Sequence, residues 1–230
     1  MNGTKQKLIA AEQKAKELFK MVEERELITP GKSEKELTDE VVALAKSQFG
    51  IENFWHKKIV RAGVNTLQPY SGNPPDVVIQ KDDIVILDFG PIFEGYEADL
   101  GRTYVVGNDP LKLKLKSDVE AAWHEASAWH TQQRSLTGAE YFKYLNELAE
   151  KYGWEYGGEI GGHIVGPFPH EQLEPDDLGL DIHPDNHSDI LQPDKDGNSR
   201  YWILEIHFVD RVNHIGGFFE QLLNTSSRGE

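Results

Sequence analysis

Apolar residues recur at every third or fourth position in several stretches of the chain, which is the spacing of amphipathic helices. The spacing predicts helices over 4–27, from Ser33 to about Gln48, from about Leu111 onwards, and over 138–152. Ser33 with Glu36 forms a capping box, Asp109-Pro110 precedes the third helix, and Thr137 is placed to cap the fourth. The helices therefore come in two pairs, one in each half of the chain.

Continuous apolar runs predict buried strands. The run IVILDF ends at Phe89, a turn at Glu94-Gly95 reverses the chain, and the segment up to Val106 returns as its partner. Further strands are predicted at 58–64, 201–209 and 214–223, with a loop rich in proline and aspartate over 167–200. Each half of the chain thus supplies helices followed by strands that carry acidic residues.

Charge and cysteine usage restrict the classes of partner. The 230 residues include 24 basic and 39 acidic ones, a net charge of −15, whereas nucleic acid and anionic membranes require a basic face. On its own, the acidic surplus is typical of a solvated surface. The absence of cysteine excludes disulfides, thiolate zinc sites and a cysteine nucleophile, and is compatible with the cytoplasm. No secretory signal and no membrane-spanning run is apparent, so we expect neither secretion nor membrane insertion.

Two aspartates flank the turn between the predicted central strands. Asp88 and Asp99 are eleven residues apart, an odd interval that places them on one face only if the chain reverses between them. Gly95 near the middle allows that reversal. Taken alone, an aspartate at the end of a strand more often caps a turn than binds a metal.

Three further polar residues lie in or beside apolar runs. His163 follows two glycines in GGHIVG, Glu205 lies in WILEIHFVD, and Glu220 follows GGFF. A single histidine is usually structural or exposed, and either glutamate is explained as well by an exposed edge strand. The other histidines, His170 excepted, are assigned no function.

Together, the four carboxylates and the imidazole indicate divalent cations. An ionised carboxylate in a buried strand is costly unless a positive charge meets it. A competing calcium loop, from Asp194 to Glu205, is disfavoured because Ser199 stands where that loop requires glycine. Asp196-Gly197 is better interpreted as a tight turn that leads into the Glu205 strand.

The set of residues resembles the metallopeptidase superfamily of methionine aminopeptidase, aminopeptidase P, prolidase and creatinase. The resemblance rests on the Asp88–Asp99 interval, the segment GYEADLGRT, the seven-residue interval from His163 to His170 with Glu171 following, and the strands of Glu205 and Glu220. It covers nearly the whole chain. Tyr70 stands where the family often has a histidine, and the separate N-terminal domain of prolidase-like members has no counterpart in these residues.

The resemblance implies a ligand set and a mechanism. Asp88 would bind one of two divalent ions (Mn, Co, Fe or Zn), Asp99 and Glu220 would bridge both, and His163 and Glu205 would hold the second. Glu205 would also take and return a proton, and His170 would hydrogen-bond the developing oxyanion or the substrate backbone. A phenol at Tyr70 would donate a hydrogen bond on the substrate side.

The resemblance also implies the fold class and the activity. We expect an α+β pita-bread fold over residues 1–230, a single domain in which helices cover a curved antiparallel sheet with the metals on its concave face. The expected activity is removal of an N-terminal residue from a short peptide, including peptides with proline in second place. Two alternatives, a non-catalytic binding protein of the same fold and a creatinase-like C–N hydrolase, predict lost ligands. A short peptide is the expected partner, and a homodimer is compatible with the sequence.

Overall fold

A computed structural model describes residues 3–169 and 178–223 of the chain. Its helices are α1 (Gly3–Glu24), α2 (Glu34–Phe49), α3 (Pro110–Thr131) and α4 (Gly138–Tyr152). Its strands are β1 (Ile59–Ala62), β2 (Ile84–Phe89), β3 (Ile92–Phe93), β4 (Tyr96–Glu97), β5 (Leu100–Val105), β6 (Glu155–Tyr156), β7 (Ile164–Val165), β8 (Tyr201–Asp210) and β9 (Ile215–Leu222). The mixture of helices with an antiparallel sheet confirms the α+β class.

The main sheet runs through both halves of the chain in the order β1-β2-β5-β9-β8-β6, and β7 pairs with β8. All of these pairings are antiparallel. The short hairpin of β3 and β4, with its turn at Glu94-Gly95, lies between β2 and β5, as the odd interval between the aspartates requires. The first half of the chain therefore supplies β1, β2 and β5, and the second half supplies the rest.

The helix ends follow the predicted caps closely. Ser33 and Glu36 form a complete capping box, as do Thr137 and Glu140, and the Asp109 side chain caps α3 at Pro110. Two boundaries differ from the sequence pattern. Helix α1 ends at Glu24 rather than at 27, and the predicted strand over 58–64 is strand only over β1, because a 3₁₀ turn over Gly63–Leu67 follows.

The two helix pairs cover the two halves of the same sheet face. In β2, Val85, Leu87 and Phe89 pack into a core with α1 and α2, while in β8 the alternate residues Leu204 and Ile206 pack against α3 and α4. Because side chains alternate along a strand, Asp88 and Glu205 point to the opposite face. In the described part of the chain, no helix is long and apolar enough to cross a membrane.

Candidate metal centre

Four strands carry the candidate site in one row across the sheet. Asp88 of β2 pairs with Gly101 of β5, Gly101 pairs with Glu220 of β9, and Glu220 pairs with Glu205 of β8. Directly paired residues share a face, and Asp99 precedes Gly101 by two positions, so it lies on that face as well. Register alone therefore brings the four carboxylates together.

Gly101 leaves room in the middle of this row. A side-chain carbon built on Gly101 would lie 2.3 Å from the ring of Phe218 and 2.9 Å from Cβ of Glu220. Any larger residue would displace β9 from β5. The glycine in the GYEADLGRT segment thus permits the close approach of the two strands that bear Asp99 and Glu220.

His163 is held beside the row by a glycine-dependent contact. Gly162 has φ of 139°, and a side-chain carbon there would lie 2.0 Å from the carbonyl oxygen of Ile203. The segment packs on β8 through a hydrogen bond from the Ile203 amide to the His163 carbonyl, 2.8 Å long. Gly162 therefore permits the close approach of this segment to β8.

Neighbouring polar atoms of the cluster are 3.1 to 3.9 Å apart. His163 Nε2 is 3.1 Å from Asp99 Oδ2 and 3.9 Å from Glu220 Oε1. On the other side of Asp99, its Oδ1 is 3.1 Å from Nε2 of His56, which is 3.6 Å from Asp88 Oδ1. Two trios result, one of Asp99, His163 and Glu220 and one of His56, Asp88 and Asp99, each with ligand atoms within 4.8 Å of one another.

Two carboxylate oxygens of the cluster are buried without a donor. Asp88 Oδ1 and Glu220 Oε2 accept no hydrogen bond from any residue within 3–169 and 178–223. Buried polar atoms nearly always have a partner, so each such oxygen calls for an explanation. Oxygen and imidazole nitrogen are the donors that Mn²⁺, Fe²⁺, Co²⁺ and Zn²⁺ accept, and the cluster fits a divalent metal.

Burial and like charge perturb the carboxyl groups strongly. Burial raises the pKa of Asp88 to about 7 and that of Glu205 to about 8, and it raises that of Glu220 as well. Asp99 differs because the adjacent imidazoles of His56 and His163 outweigh its burial and hold its pKa below the usual range. Burial opposes the charge of His56, but the carboxylates of Asp99 and Asp88 prevail and raise its pKa to about 9. The cluster therefore favours additional positive charge.

The cluster forms the floor of a cavity of about 590 Å³. Tyr70 lines this cavity and is 49% exposed, so the residue at the family's histidine position lies at the cavity mouth. Its ring centroid is 6.0 Å from that of His56. Arg61, also in the lining, donates to the carbonyls of Gln68 and Gly72 and so fixes the loop that carries Tyr70.

The structure places the sequence-predicted residues as follows. Asp88, Asp99, His163, Glu205 and Glu220 all line the one cavity, together with Tyr70. Glu205 lies in the row but in neither trio. His170 and Glu171 lie outside the described residues. The residue without a predicted role is His56, since Trp55-His56 precedes β1 without any apolar periodicity that would mark it as buried.

The competing calcium loop is replaced by the predicted tight turn. The Asp194 carboxylate accepts hydrogen bonds from the backbone of Asp196 and Asn198, at 2.9 and 2.7 Å. These bonds close the turn before β8. Glu205, the last residue of the supposed loop, points instead into the cavity.

Comparison with known proteins agrees with this geometry. The sequence profile of metallopeptidase family M24 matches residues 6–195. The chain belongs to metallopeptidase family M24. The matched range includes Asp88, Asp99 and His163 and ends before the strands of Glu205 and Glu220. Membership of this M24 family implies the use of divalent metal.

Similar proteins and solved structures support the fold. The Xaa-Pro dipeptidase of Pyrococcus horikoshii is 30% identical over 149 residues, 64% of this chain and 41% of that protein, so the chain spans less than half of that relative. The prolidase of Thermococcus sibiricus superposes with a TM-score of 0.71 at 28% identity, over 94% of this chain and 55% of that one. Methionine aminopeptidase of Thermotoga maritima gives 0.63 at 18% identity, over 89% and 86%. The pita-bread fold is thereby confirmed.

Proposed function

We propose that the chain is a metal-dependent exopeptidase that hydrolyses the N-terminal peptide bond of short peptides, with Xaa-Pro peptides as preferred substrates. The observation that carries the proposal is the convergence of Asp88, Asp99, His163, Glu205 and Glu220 on the floor of one cavity. Family membership and the dipeptidase relative add support. A binding protein or a metal-independent hydrolase of this fold is expected to have lost some of these ligands, and all five are present.

The ligand roles proposed for the site follow the two trios. Asp99 faces both of them with different oxygens, which suits a bridging ligand, and Glu220 would be the second bridge. Asp88 would complete the ligand set of one ion, and His163 and Glu205 would complete that of the other. Two divalent ions, when bound, polarise a carbonyl and lower the pKa of water at the site. Carboxylate oxygens outnumber nitrogens in the set, which makes Mn²⁺ the first ion to test.

The chain's own residues supply the remaining chemistry. A carboxylate oxygen of Glu205 is proposed to take a proton from the attacking water and return it to the leaving amine, since Glu205 lines the cavity in the same row as the other ligands. Tyr70 is proposed to donate its phenol hydrogen to the substrate at the cavity mouth. His170 is proposed, from the sequence alone, to stabilise the oxyanion.

The cavity sets the size of the substrate. Its volume of about 590 Å³ lies within the range of small-molecule pockets, roughly 300–1,000 Å³. A dipeptide or tripeptide fits such a volume, whereas a folded protein does not enter it. We further propose that residues 1–230 act as one domain, since strands of both halves form the main sheet. We also propose that the protein works in the cytoplasm, with which the absence of cysteine is compatible. Light scattering would test for a homodimer.

A peptide panel tests the proposed activity. Purified protein is stripped with chelator, reloaded with Mn²⁺, Co²⁺, Fe²⁺ or Zn²⁺, and assayed on Ala-Pro, Ala-Pro-Ala, Ala-Ala and Ala-Ala-Ala. We expect metal-dependent release of the N-terminal residue, fastest for the proline peptides, and no release by Glu220→Gln. Wild type that binds two ions yet cleaves none of the peptides would contradict the peptidase proposal in favour of a binding protein.

A further inference from the structure

His56 lies inside the carboxylate cluster rather than beside it. Its side chain is 4% exposed, and its Nε2 faces Asp99 Oδ1 at 3.1 Å and Asp88 Oδ1 at 3.6 Å. Two ligand atoms on one ion at about 2.1 Å are separated by about 3.0 Å at a right angle and about 3.4 Å at a tetrahedral angle. The separation to Asp99 lies within that range and the one to Asp88 is slightly longer.

The ring of His56 is oriented as metal-binding histidines usually are. Its Nδ1 is 2.7 Å from the carbonyl oxygen of Lys57, and a carbonyl can only accept, so Nδ1 carries the hydrogen. Nε2 then faces two carboxylates, which favour positive charge there: either the second proton of an imidazolium, or a metal ion bound by the lone pair of the neutral ring. A backbone carbonyl on the far nitrogen is the common support of a ligating histidine.

His163 has the same local arrangement on the opposite side of Asp99. Its Nδ1 is 2.8 Å from the carbonyl oxygen of the next residue, Ile164, and its Nε2 is 3.1 Å from Asp99 Oδ2. The two imidazoles thus approach the two oxygens of one carboxylate at equal distance. The indole of Trp55 packs edge-on against both rings, with centroids 4.5 and 5.2 Å away.

The space for His56 depends on a glycine. A side-chain carbon built on Gly90 would lie 2.2 Å from Cδ2 and 2.4 Å from Nε2 of His56. It would also lie 2.4 Å from the indole nitrogen of Trp55, which donates to the carbonyl of Ala98 at 2.9 Å. The end of β2 is therefore shaped to admit the imidazole to the two aspartates.

We propose that His56 is a sixth metal ligand, which binds through Nε2 and completes a site with Asp88 and Asp99. Each of two ions would then have one imidazole, His56 on one and His163 on the other, with Asp99 between them. The inference rests on the proposed metal-dependent function. The nitrogen donor makes the Asp88 site less selective for hard cations such as Mg²⁺ and favours transition metals there.

X-ray absorption of the protein loaded with two zinc ions per chain tests the proposal without any assay of activity. The spectrum counts imidazoles per zinc. We expect an average of one imidazole per zinc in wild type, because His56 and His163 each bind one ion. If only His163 binds, the average is one imidazole for every two zinc ions. The second result would overturn the proposal while leaving the peptidase function intact.

Calorimetric titration of matched variants with Zn²⁺ is a second test. His56→Gln should lose affinity for one ion by more than the roughly 10–100-fold typical of an outer-shell partner. Gly90→Ala, which keeps every ligand but displaces the ring, should weaken the same ion. His207→Gln is the control, because His207 lines the same cavity but its Nε2 donates to the carbonyl of Thr66, 2.8 Å away. We expect this variant to bind both ions like wild type.

The outcomes separate the two proposals. A tenfold loss in His56→Gln with two ions still bound would make His56 an outer-shell residue and overturn the inference. Wild type that binds no Zn²⁺, Mn²⁺ or Co²⁺ would overturn the metal-dependent function itself. Circular dichroism of each variant establishes that a loss of binding is not a loss of folding.

Discussion

At the scale of single residues, three of the five ligand candidates stand out in the sequence because each is a costly charge in an apolar strand. Asp88, Glu205 and Glu220 interrupt runs that would otherwise be core, and the structure buries all three. His56 was not predictable in this way. Its approach to the aspartates depends on the missing side chain of Gly90, which is a contact between distant segments. Local pattern carries no signal for such a contact.

Substitutions of the two histidines in the GGHIVGPFPHE segment are predicted to have different effects. His163→Ala should weaken metal binding, since Nε2 of His163 lies against Asp99 in the cluster. His170→Ala should keep both ions and lower kcat by about a hundredfold, because an oxyanion donor acts mainly in the transition state. Calorimetry together with kinetics on the best peptide checks both. Loss of metal by His170→Ala would show that its role is wrongly assigned.

At the scale of elements, caps and turns were predicted well because their signals are local. The Ser33 capping box, the Thr137 cap and the turn at Asp196-Gly197 each depend on residues within a few positions of one another. The attachment of helix α2 to the sheet was missed. Glu34, in the first turn of α2, accepts from the Ala62 amide at 2.6 Å and from the Asn65 side chain at 3.0 Å. That contact joins segments that no periodicity relates.

The buried carboxyl group of Glu34 predicts how the stability of the fold depends on pH. Burial raises the pKa of its carboxyl group above the usual value, so the folded state holds the proton more tightly than the unfolded state. Its contribution to folding is therefore fully present below the unfolded pKa and is lost as pH rises through the folded pKa. Urea unfolding of metal-free protein between pH 4 and 7 should show a decline that is smaller in Glu34→Gln. Parallel pH profiles for the two proteins would contradict this assignment.

At the scale of the whole molecule, the sheet joins two halves through a narrow seam. Strands β5 and β9 share a single register pair, Gly101 with Glu220, beside which the Thr103 hydroxyl donates to the Phe218 carbonyl at 2.8 Å. The order of helices and acid-bearing strands in each half was predictable from the sequence. The seam was not, because it depends on the packing of Phe218 over Gly101. Candidate ligands come from both sides of this seam, so bound metal would tie the halves together.

Metal removal should therefore lower the stability of the whole fold. Ions that bind only the folded chain stabilise it by about 2.7 kcal/mol at a free concentration of 100 times Kd. Chelator should lower the Tm of wild type but barely move that of Glu220→Ala, which lacks a bridging ligand. The metal-free variant need not be the less stable one, because Glu220 is a buried carboxylate whose pKa burial raises. The shift on chelation, rather than the Tm itself, is thus the quantity to compare.

Glu159→Gln is the control for this shift. Glu159 lines the same cavity, but its carboxylate accepts from the Ser71 hydroxyl at 2.8 Å, and it belongs to neither ligand trio. Differential scanning fluorimetry with and without chelator should give this variant the same shift as wild type. Equal shifts in wild type and Glu220→Ala would exclude Glu220 as a bridge. An equally small shift in Glu159→Gln and Glu220→Ala would instead mean that the loss of any acid in the cavity weakens metal binding. That result is expected if the cavity attracts the ions through its overall negative charge rather than through direct coordination.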